Sequence, residues 1–451
     1  MSFWSYKHLA EVTQGTWLVE PDDLAAEVTG LWHDTREIKQ GQAYLAIAGD
    51  NFDGHDFIDK AFDAGASLAI VSTEPPSLEG GAGGRVPGHP VLKVNDTIKA
   101  LQDLARAYRD ELKAGGCKVI GIAGSNGKTT TRHLIHHVLT HAGLKGTQSP
   151  KSFNNHLGVP LTLLSAKPSD DFVAAEIGTN HPGEIDFLSA IARPDIAAIT
   201  SIGEEHMEFF KDLDRVAQEE MAICDHLMDE GVVVAGLSEF DQILKSKLGS
   251  KHQHYTTYDG DLDPPPNFAL LGEHNDSNAR SANMVADLFG LTEPQYNEAL
   301  LSVEPEKHRG EVLRFGQNVT IYDDCYNANP SSMRAAIDTL STMPSTGKKV
   351  AILGDMLELG DRSHELHTEI AYYANSKAWT AVIGPLFAKV QFDMFISCPQ
   401  FEWSDELPEK VVDLIEPGDT VLLKASRGMR LERLIPAIER RFGPAEGDEP
   451  T

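Results

Sequence analysis

The run Gly121-Ile122-Ala123-Gly124-Ser125-Asn126-Gly127-Lys128-Thr129-Thr130-Thr131 constrains the fold of this chain more than any other stretch. The apolar Lys118-Val119-Ile120 precedes it and a helix-like segment through His141 follows, so the sequence predicts strand, glycine loop and helix in that order. Gly124 and Gly127 let backbone N–H groups turn inward at a helix N-terminus, whose dipole favours negative charge. Such a loop cradles phosphate, with Lys128 reaching the β- and γ-phosphates and Thr129 offering its hydroxyl to Mg²⁺. The strict spacing is not met, because Ile122 stands where the pattern has its first glycine. An ordinary glycine turn before a helix is the competing reading of the loop alone.

A chain of 451 residues has room for about three domains at ~150 residues each. Apolar runs at 43–47, 68–71 and 91–94, with helix-like stretches at 57–64 and 97–112, predict a small α/β domain over 1–112. The Gly- and Pro-rich 74–90 reads as a surface loop. Strand patterns at 172–176, 196–200 and 232–234 alternate with helices after the phosphate loop and predict parallel βαβ units over 113–307. Strands at 350–353, 381–383 and 420–423, with a helix over 364–375, predict a second doubly wound unit over 308–451, frayed at 443–451.

The formal charge of −29, from 68 acidic and 39 basic residues, argues against nonspecific binding to nucleic acid or to an anionic membrane. An anionic substrate must then be gathered by local basic groups and metal ions. No apolar run is long enough to span a bilayer, and the opening residues lack a signal-peptide layout, so a cytoplasmic location is expected. Cys117, Cys224, Cys325 and Cys398 are too dispersed for a zinc site or a disulfide framework and read as small core residues.

Glu176 closes one predicted strand, and His206 follows the next in Ser201-Ile202-Gly203-Glu204-Glu205-His206. A carboxylate and an imidazole at neighbouring strand ends, beside a phosphate loop, suit Mg²⁺ ions that bridge phosphate oxygens. Taken singly, such a His is more often structural and such a Glu more often solvated.

The ordered motifs along the chain go further. They are Asp34-Thr35-Arg36, Asn51-Phe52-Asp53-Gly54-His55-Asp56-Phe57, the phosphate loop, Asn154-Asn155-His156-Leu157-Gly158-Val159-Pro160, Glu176-Ile177-Gly178-Thr179-Asn180-His181-Pro182-Gly183-Glu184 and His274-Asn275-Asp276-Ser277-Asn278. The last third adds Asp323-Asp324-Cys325-Tyr326-Asn327-Ala328-Asn329-Pro330, Leu353-Gly354-Asp355-Met356-Leu357-Glu358-Leu359-Gly360 and Lys424-Ala425-Ser426-Arg427. In these the sequence resembles the Mur ligases, which build peptidoglycan precursors, and among them the branch that adds D-alanyl-D-alanine.

The resemblance implies a three-domain α/β architecture with a central P-loop parallel-sheet domain and a Rossmann-like C-terminal domain. It implies an ATP- and Mg²⁺-dependent ligase, a monomer joining D-alanyl-D-alanine to UDP-N-acetylmuramoyl-tripeptide through an acyl phosphate. Asp34, Thr35 and Arg36 in the first domain would hold the uridine nucleotide. ATP would lie on Gly124, Ser125, Asn126, Gly127, Lys128, Thr129 and Thr130, with its adenine near His274, Asn275 and Asn278, its ribose at Asp324 and its γ-phosphate at Arg309. Thr129, Glu176 and His206 would hold Mg²⁺, and Lys128, Glu176, His206 and Arg309 form the implied catalytic set. Asn154 and Asn155 would lie near the reacting centre, and Asn327, Asn329, Lys424, Ser426 and Arg427 would position the dipeptide; the asparagines also suit turns.

The sequence departs from the family at four places. Glu220 stands fourteen residues after His206, where relatives commonly carry a carbamylated lysine; it would replace that carboxylate at the metal, or else lie on a solvated helix face. The segment 256–273 is short and contains Pro264-Pro265-Pro266. Ala425 replaces a common glycine, and Ala48-Gly49-Asp50 lacks a common lysine. A trimmed homologue that binds nucleotide and regulates without ligating is the alternative, opposed by the retained phosphoryl-transfer set. A simple kinase or NTPase would need no amine-docking domain.

Overall fold

The structure, a computed structural model, describes residues 2–49, 52–74, 88–236, 241–248, 255–256, 262–391 and 398–444. Most of the expected loop at 74–90 and tail at 443–451 therefore lies outside the described residues, as do Asp50, Asn51 and part of the shortened 256–273 segment.

Three sheets follow one another along the chain. The first holds β1 (Thr16–Val19), β2 (Leu31–Trp32), β3 (Ala43–Leu45), β4 (Leu68–Val71) and β5 (Val91–Lys93) in the order β1-β5-β4-β3-β2. Its ladders are parallel except for β1 against β5. Every residue of β4 is buried, because helices and loops cover both faces of this sheet and an unbroken apolar run suits such a strand.

The second sheet holds β6 (Lys118–Ala123), β7 (Gly146–Gln148), β8 (Phe172–Glu176), β9 (Ile196–Ile199), β10 (Val232–Ala235) and β11 (Tyr255–Thr256), all parallel, in the order β11-β10-β9-β6-β8-β7. The chain leaves β6 toward β7 and β8 on one side, then crosses to β9 on the other. The carboxyl ends of β6, β8 and β9 thus flank a topological switch point, where open α/β sheets bind ligands.

The third sheet holds β12 (Glu311–Phe315), β13 (Val319–Asp323), β14 (Lys349–Gly354), β15 (Trp379–Ile383), β16 (Gln400–Phe401) and β17 (Thr420–Lys424) in the order β12-β13-β17-β14-β15-β16. Only β12, hairpinned to β13, is antiparallel. Apolar clusters cover both faces, one with Met333, Leu340 and Leu366, the other with Val411, Leu431 and Ile438.

Helix Thr97–Ala114 joins the first two sheets. Asp96 caps it by accepting the N–H groups of Ile98 and Lys99, and its Leu101, Leu104, Tyr108 and Leu112 enter an apolar cluster that reaches from Phe3 to Leu248. Each leucine buried so completely contributes about 1.5–3 kcal/mol. On the same helix the buried Arg109 donates to the carbonyls of Ala192 and Arg193 and, at 2.6 Å, to Asp195 Oδ2. The helix runs past residue 112, where the first domain was expected to end.

Candidate active site

Gly124 and Gly127 have φ of +123° and +83°, the left-handed region that glycine adopts freely. A Cβ at Gly124 would lie 2.3 Å from Thr200 Oγ1, and one at Gly127 would lie 2.2 Å from Asn278 Oδ1. Neither contact is possible for a side chain, so both glycines are sterically required. Gly127 is the N-cap of helix Lys128–His141, and no side chain caps that helix. Among the described residues no side chain accepts its first N–H groups, and Ser125, Asn126, Gly127, Lys128, Thr129 and Thr130 line a cavity of about 570 Å³.

Glu176 ends β8 in the same cavity and is 1% exposed. Thr129 Oγ1 donates to its Oε2 at 2.9 Å, Asn154 Nδ2 donates to its Oε1 at 2.9 Å, and Arg132 Nε stands 3.8 Å from Oε2. A hydroxyl and a carboxylate on a cavity wall are oxygen donors suited to a hard dication, and the uncapped helix start suits the phosphates it would bridge. The residues present therefore fit a magnesium nucleotide.

Lys128 donates to the carbonyl of Gly124, and its Nζ is 3.7 Å from Glu205 Oε2. Burial works against its charge, but Glu205, Glu220 and Glu176 outweigh that and raise its pKa, so it stays a cation. His206, at φ +45°, also lines the cavity, and its Nδ1 lies 2.6 Å from Glu358 Oε2 of the third sheet's loops.

Glu220 is neither on a solvated face nor on the cavity wall. It is fully buried, and its Oε2 accepts the N–H of Gly124 at 2.5 Å, behind the phosphate loop. Burial and the neighbouring Glu205 raise its pKa well above the ordinary carboxyl range, whereas Glu205, although buried, is drawn below that range chiefly by Lys128. Sequence reasoning expects Glu220 at the metal; in the structure its Oε2 is engaged by the Gly124 N–H, while its Oε1 is buried with no hydrogen-bond partner among the described residues.

The carboxyl ends of the third sheet contribute Asp324, Asn327, Asn329, Lys424, Ser426 and Arg427 to the cavity lining, which also includes His274, Asn275, Asn155 and Arg309 and, against the phosphate loop, Asn278. Burial lowers the pKa of His274 and keeps it neutral. Lys424 is 2% exposed and bonds the Asp324 carboxylate and the Asn327 carbonyl, while Ser426 Oγ donates to the Ala328 carbonyl and accepts from Leu357 N. These two side chains therefore shape the loop rather than present free groups. Asn329 caps helix Pro330–Thr342 by accepting from Ser332 N, and its Nδ2 donates to Asn126 Oδ1 of the phosphate loop at 2.8 Å. Asn155 caps its own turn by accepting from Leu157 N and Gly158 N.

Asp34, Thr35 and Arg36 lie apart from this cavity, after β2. Arg36 bonds Asp34 at 2.6 Å and holds its carboxyl down at about 2. Residues that sequence reasoning missed include Ser152, Glu205, Tyr326 and Glu358 on the cavity wall, and Arg132 behind it. Arg132 also bonds the Ser149 carbonyl and, at 2.5 Å, Glu306. Tyr326, Glu358 and Glu205 lie within recognised stretches and Ser152 and Arg132 close to them, but only the fold supplies their partners.

Family models match three parts of the chain. The Mur ligase family catalytic domain covers residues 27–109, the Mur ligase middle domain 122–263 and the Mur ligase glutamate ligase domain 308–427. The chain belongs to the Mur ligase family, on its MurF side. The UDP-N-acetylmuramoyl-tripeptide–D-alanyl-D-alanine ligase of Bacillus subtilis is 33% identical over 95% of this chain and 97% of its own length. Among solved structures, MurF from Acinetobacter baumannii superposes with a TM-score of 0.82 at 26% identity, covering 97% of this chain and 99% of its own. MurF from Thermotoga maritima in complex with ADP gives 0.75 at 26% identity, covering 91% and 97%.

Proposed function

We propose that this chain is an ATP-dependent ligase that joins D-alanyl-D-alanine to UDP-N-acetylmuramoyl-tripeptide in the cytoplasm, working as a monomer. The observation that carries the proposal is one cavity with a phosphate loop on one wall and the third sheet's loops on the other, tied directly by Asn126 and Asn329. In this reading residues 1–112 hold the uridine nucleotide through Asp34, Thr35 and Arg36, 113–307 hold ATP, and 308–451 dock the dipeptide. The B. subtilis relative carries that activity in its name, and the T. maritima structure contains ADP.

A carboxylate resists attack by an amine because its leaving group would be oxide. Transfer of the γ-phosphoryl group to it gives an acyl phosphate with a stabilised leaving group, which the dipeptide amine displaces as phosphate. Lys128, kept cationic by its carboxylate neighbours, and Arg309 neutralise charge on the transferred group. Thr129, Glu176 and His206 would hold Mg²⁺, which when bound offsets phosphate charge. Asn154 and Arg132 fix the direction of Glu176. Glu220 holds the Gly124 N–H and so sets the loop from behind. Closure of the third domain on the central one would keep water from the acyl phosphate.

The test is phosphate release with ATP, Mg²⁺ and the nucleotide tripeptide, with and without D-alanyl-D-alanine, read beside product mass. Release that requires the dipeptide, with a product heavier by the dipeptide less water, is expected. Nucleotide binding without amide formation would overturn the proposal in favour of a regulatory homologue.

A further inference from the structure

The geometry points to Tyr326 as a positioning residue that presents Arg309 and Arg427 to the two reactants from a single aromatic platform. This rests on the ligase reading above. The Arg309 guanidinium sits 3.8 Å from the Tyr326 ring centroid and that of Arg427 5.6 Å from it. The ring is itself fixed at two further points. Its hydroxyl is 2.8 Å from Ser152 Oγ, which belongs to the central part of the chain and also accepts from Arg309 Nη2 at 3.3 Å. Its backbone N–H donates to the carbonyl of His308, the residue before Arg309, at 3.1 Å.

The choice of an aromatic partner has a chemical consequence. A carboxylate would hold Arg309 by taking two of its N–H groups and neutralising its charge. A ring face attracts the cation through its quadrupole and leaves the N–H groups in the guanidinium plane to meet phosphate oxygens. Among the described residues no ion pair to Arg309 is found, and one of its N–H groups is given to a hydroxyl. Arg427 keeps one carboxylate, Glu432 at 2.7 Å, on the side of the third sheet. Both arginines and Tyr326 line the cavity. One ring therefore sets the cation proposed for the transferred phosphoryl group and the cation proposed for the dipeptide, and links them to Ser152 across the junction.

The experiment is steady-state kinetics on the full chain for wild type, Tyr326→Phe and Tyr326→Leu, with ADP affinity and Tm measured on each. Loss of the ring in Tyr326→Leu is expected to lower kcat about 5- to 30-fold and to raise KM for the dipeptide, with ADP affinity within about twofold of wild type. Tyr326→Phe, which keeps the π face, is expected to recover most of both. In an Arg309→Ala background, Tyr326→Leu should lower kcat by less than about twofold, because the cation it positions is gone. If the Leu variant melts more than about 5 °C below wild type, Tyr326→Met replaces it in the same comparisons.

Equal damage from Phe and Leu would overturn the ring's role, as would independent, additive effects of Tyr326→Leu and Arg309→Ala on kcat. A Leu variant with unchanged kcat and KM would do the same while leaving the ligase reading intact. A wild-type chain that forms no amide would instead remove the ligase reading, and this inference with it.

Discussion

Gly124 and Gly127 of the phosphate loop sit at positive φ, in contacts that a side chain cannot share. Gly127 has φ +83°, and its missing Cβ leaves room for Asn278 Oδ1. Gly127→Ala is expected to cost about 1–3 kcal/mol in backbone strain and to weaken ADP binding at least tenfold, checked by thermal melting and calorimetric titration. Glu220→Ala leaves the Gly124 N–H without its partner and is expected to cost about 1–3 kcal/mol. Glu220→Gln keeps an acceptor there and should stay near wild type, which denaturant unfolding of the pair would show. Gly127 was legible in the sequence because a glycine loop before Lys-Thr has few other uses. The environment of Glu220 was not, since its partner Gly124 is 96 positions away and only the fold brings them together. Tyr326 was hidden for the same reason, sitting in a loop-like run while its hydroxyl meets a residue 174 positions off.

At the scale of elements, the junction at Asn329 combines a local and a distant task. It opens helix Pro330–Thr342 with a reciprocal capping box and bonds Asn126 of the phosphate loop. Asn329→Ala is expected to destabilise the protein by about 0.5–2 kcal/mol through the lost cap and also to lower turnover. Asn329→Asp keeps the cap, cannot donate to Asn126, and should recover stability without recovering turnover; unfolding curves beside kinetics separate the two. This asparagine therefore both caps its own helix and bonds the phosphate loop. Strands buried on both faces, such as β4 and β8, were plain as apolar runs. The hairpin β12–β13 escaped notice because β12 is a half-buried edge, where polar and apolar residues mix. Two-residue strands such as β2, β11 and β16 leave no pattern to read.

Across the whole molecule the two junctions differ in kind. The first and second sheets share one apolar cluster and the buried Arg109. Near the site, the central and third sheets meet mainly through polar pairs, Asn126 with Asn329 and Ser331, Glu204 with Arg362 at 3.2 Å, and His206 with Glu358. Partly exposed ion pairs are worth about 0–1 kcal/mol each and neutral hydrogen bonds about 0.5–1.5 kcal/mol, so separating these contacts costs little beside breaking the first junction. That asymmetry suits a third domain that admits substrates and then shields them from water. The family and the three-sheet plan were legible from ordered motifs, whereas the polar character of this junction required the folded chain. The central claim, activation of a carboxylate by phosphoryl transfer within this cavity, is tested most directly by isotope transfer. With the reacting carboxylate of the nucleotide tripeptide labelled in ¹⁸O, turnover with ATP and D-alanyl-D-alanine is expected to place one label in each phosphate released; unlabelled phosphate accompanying amide formation would contradict it.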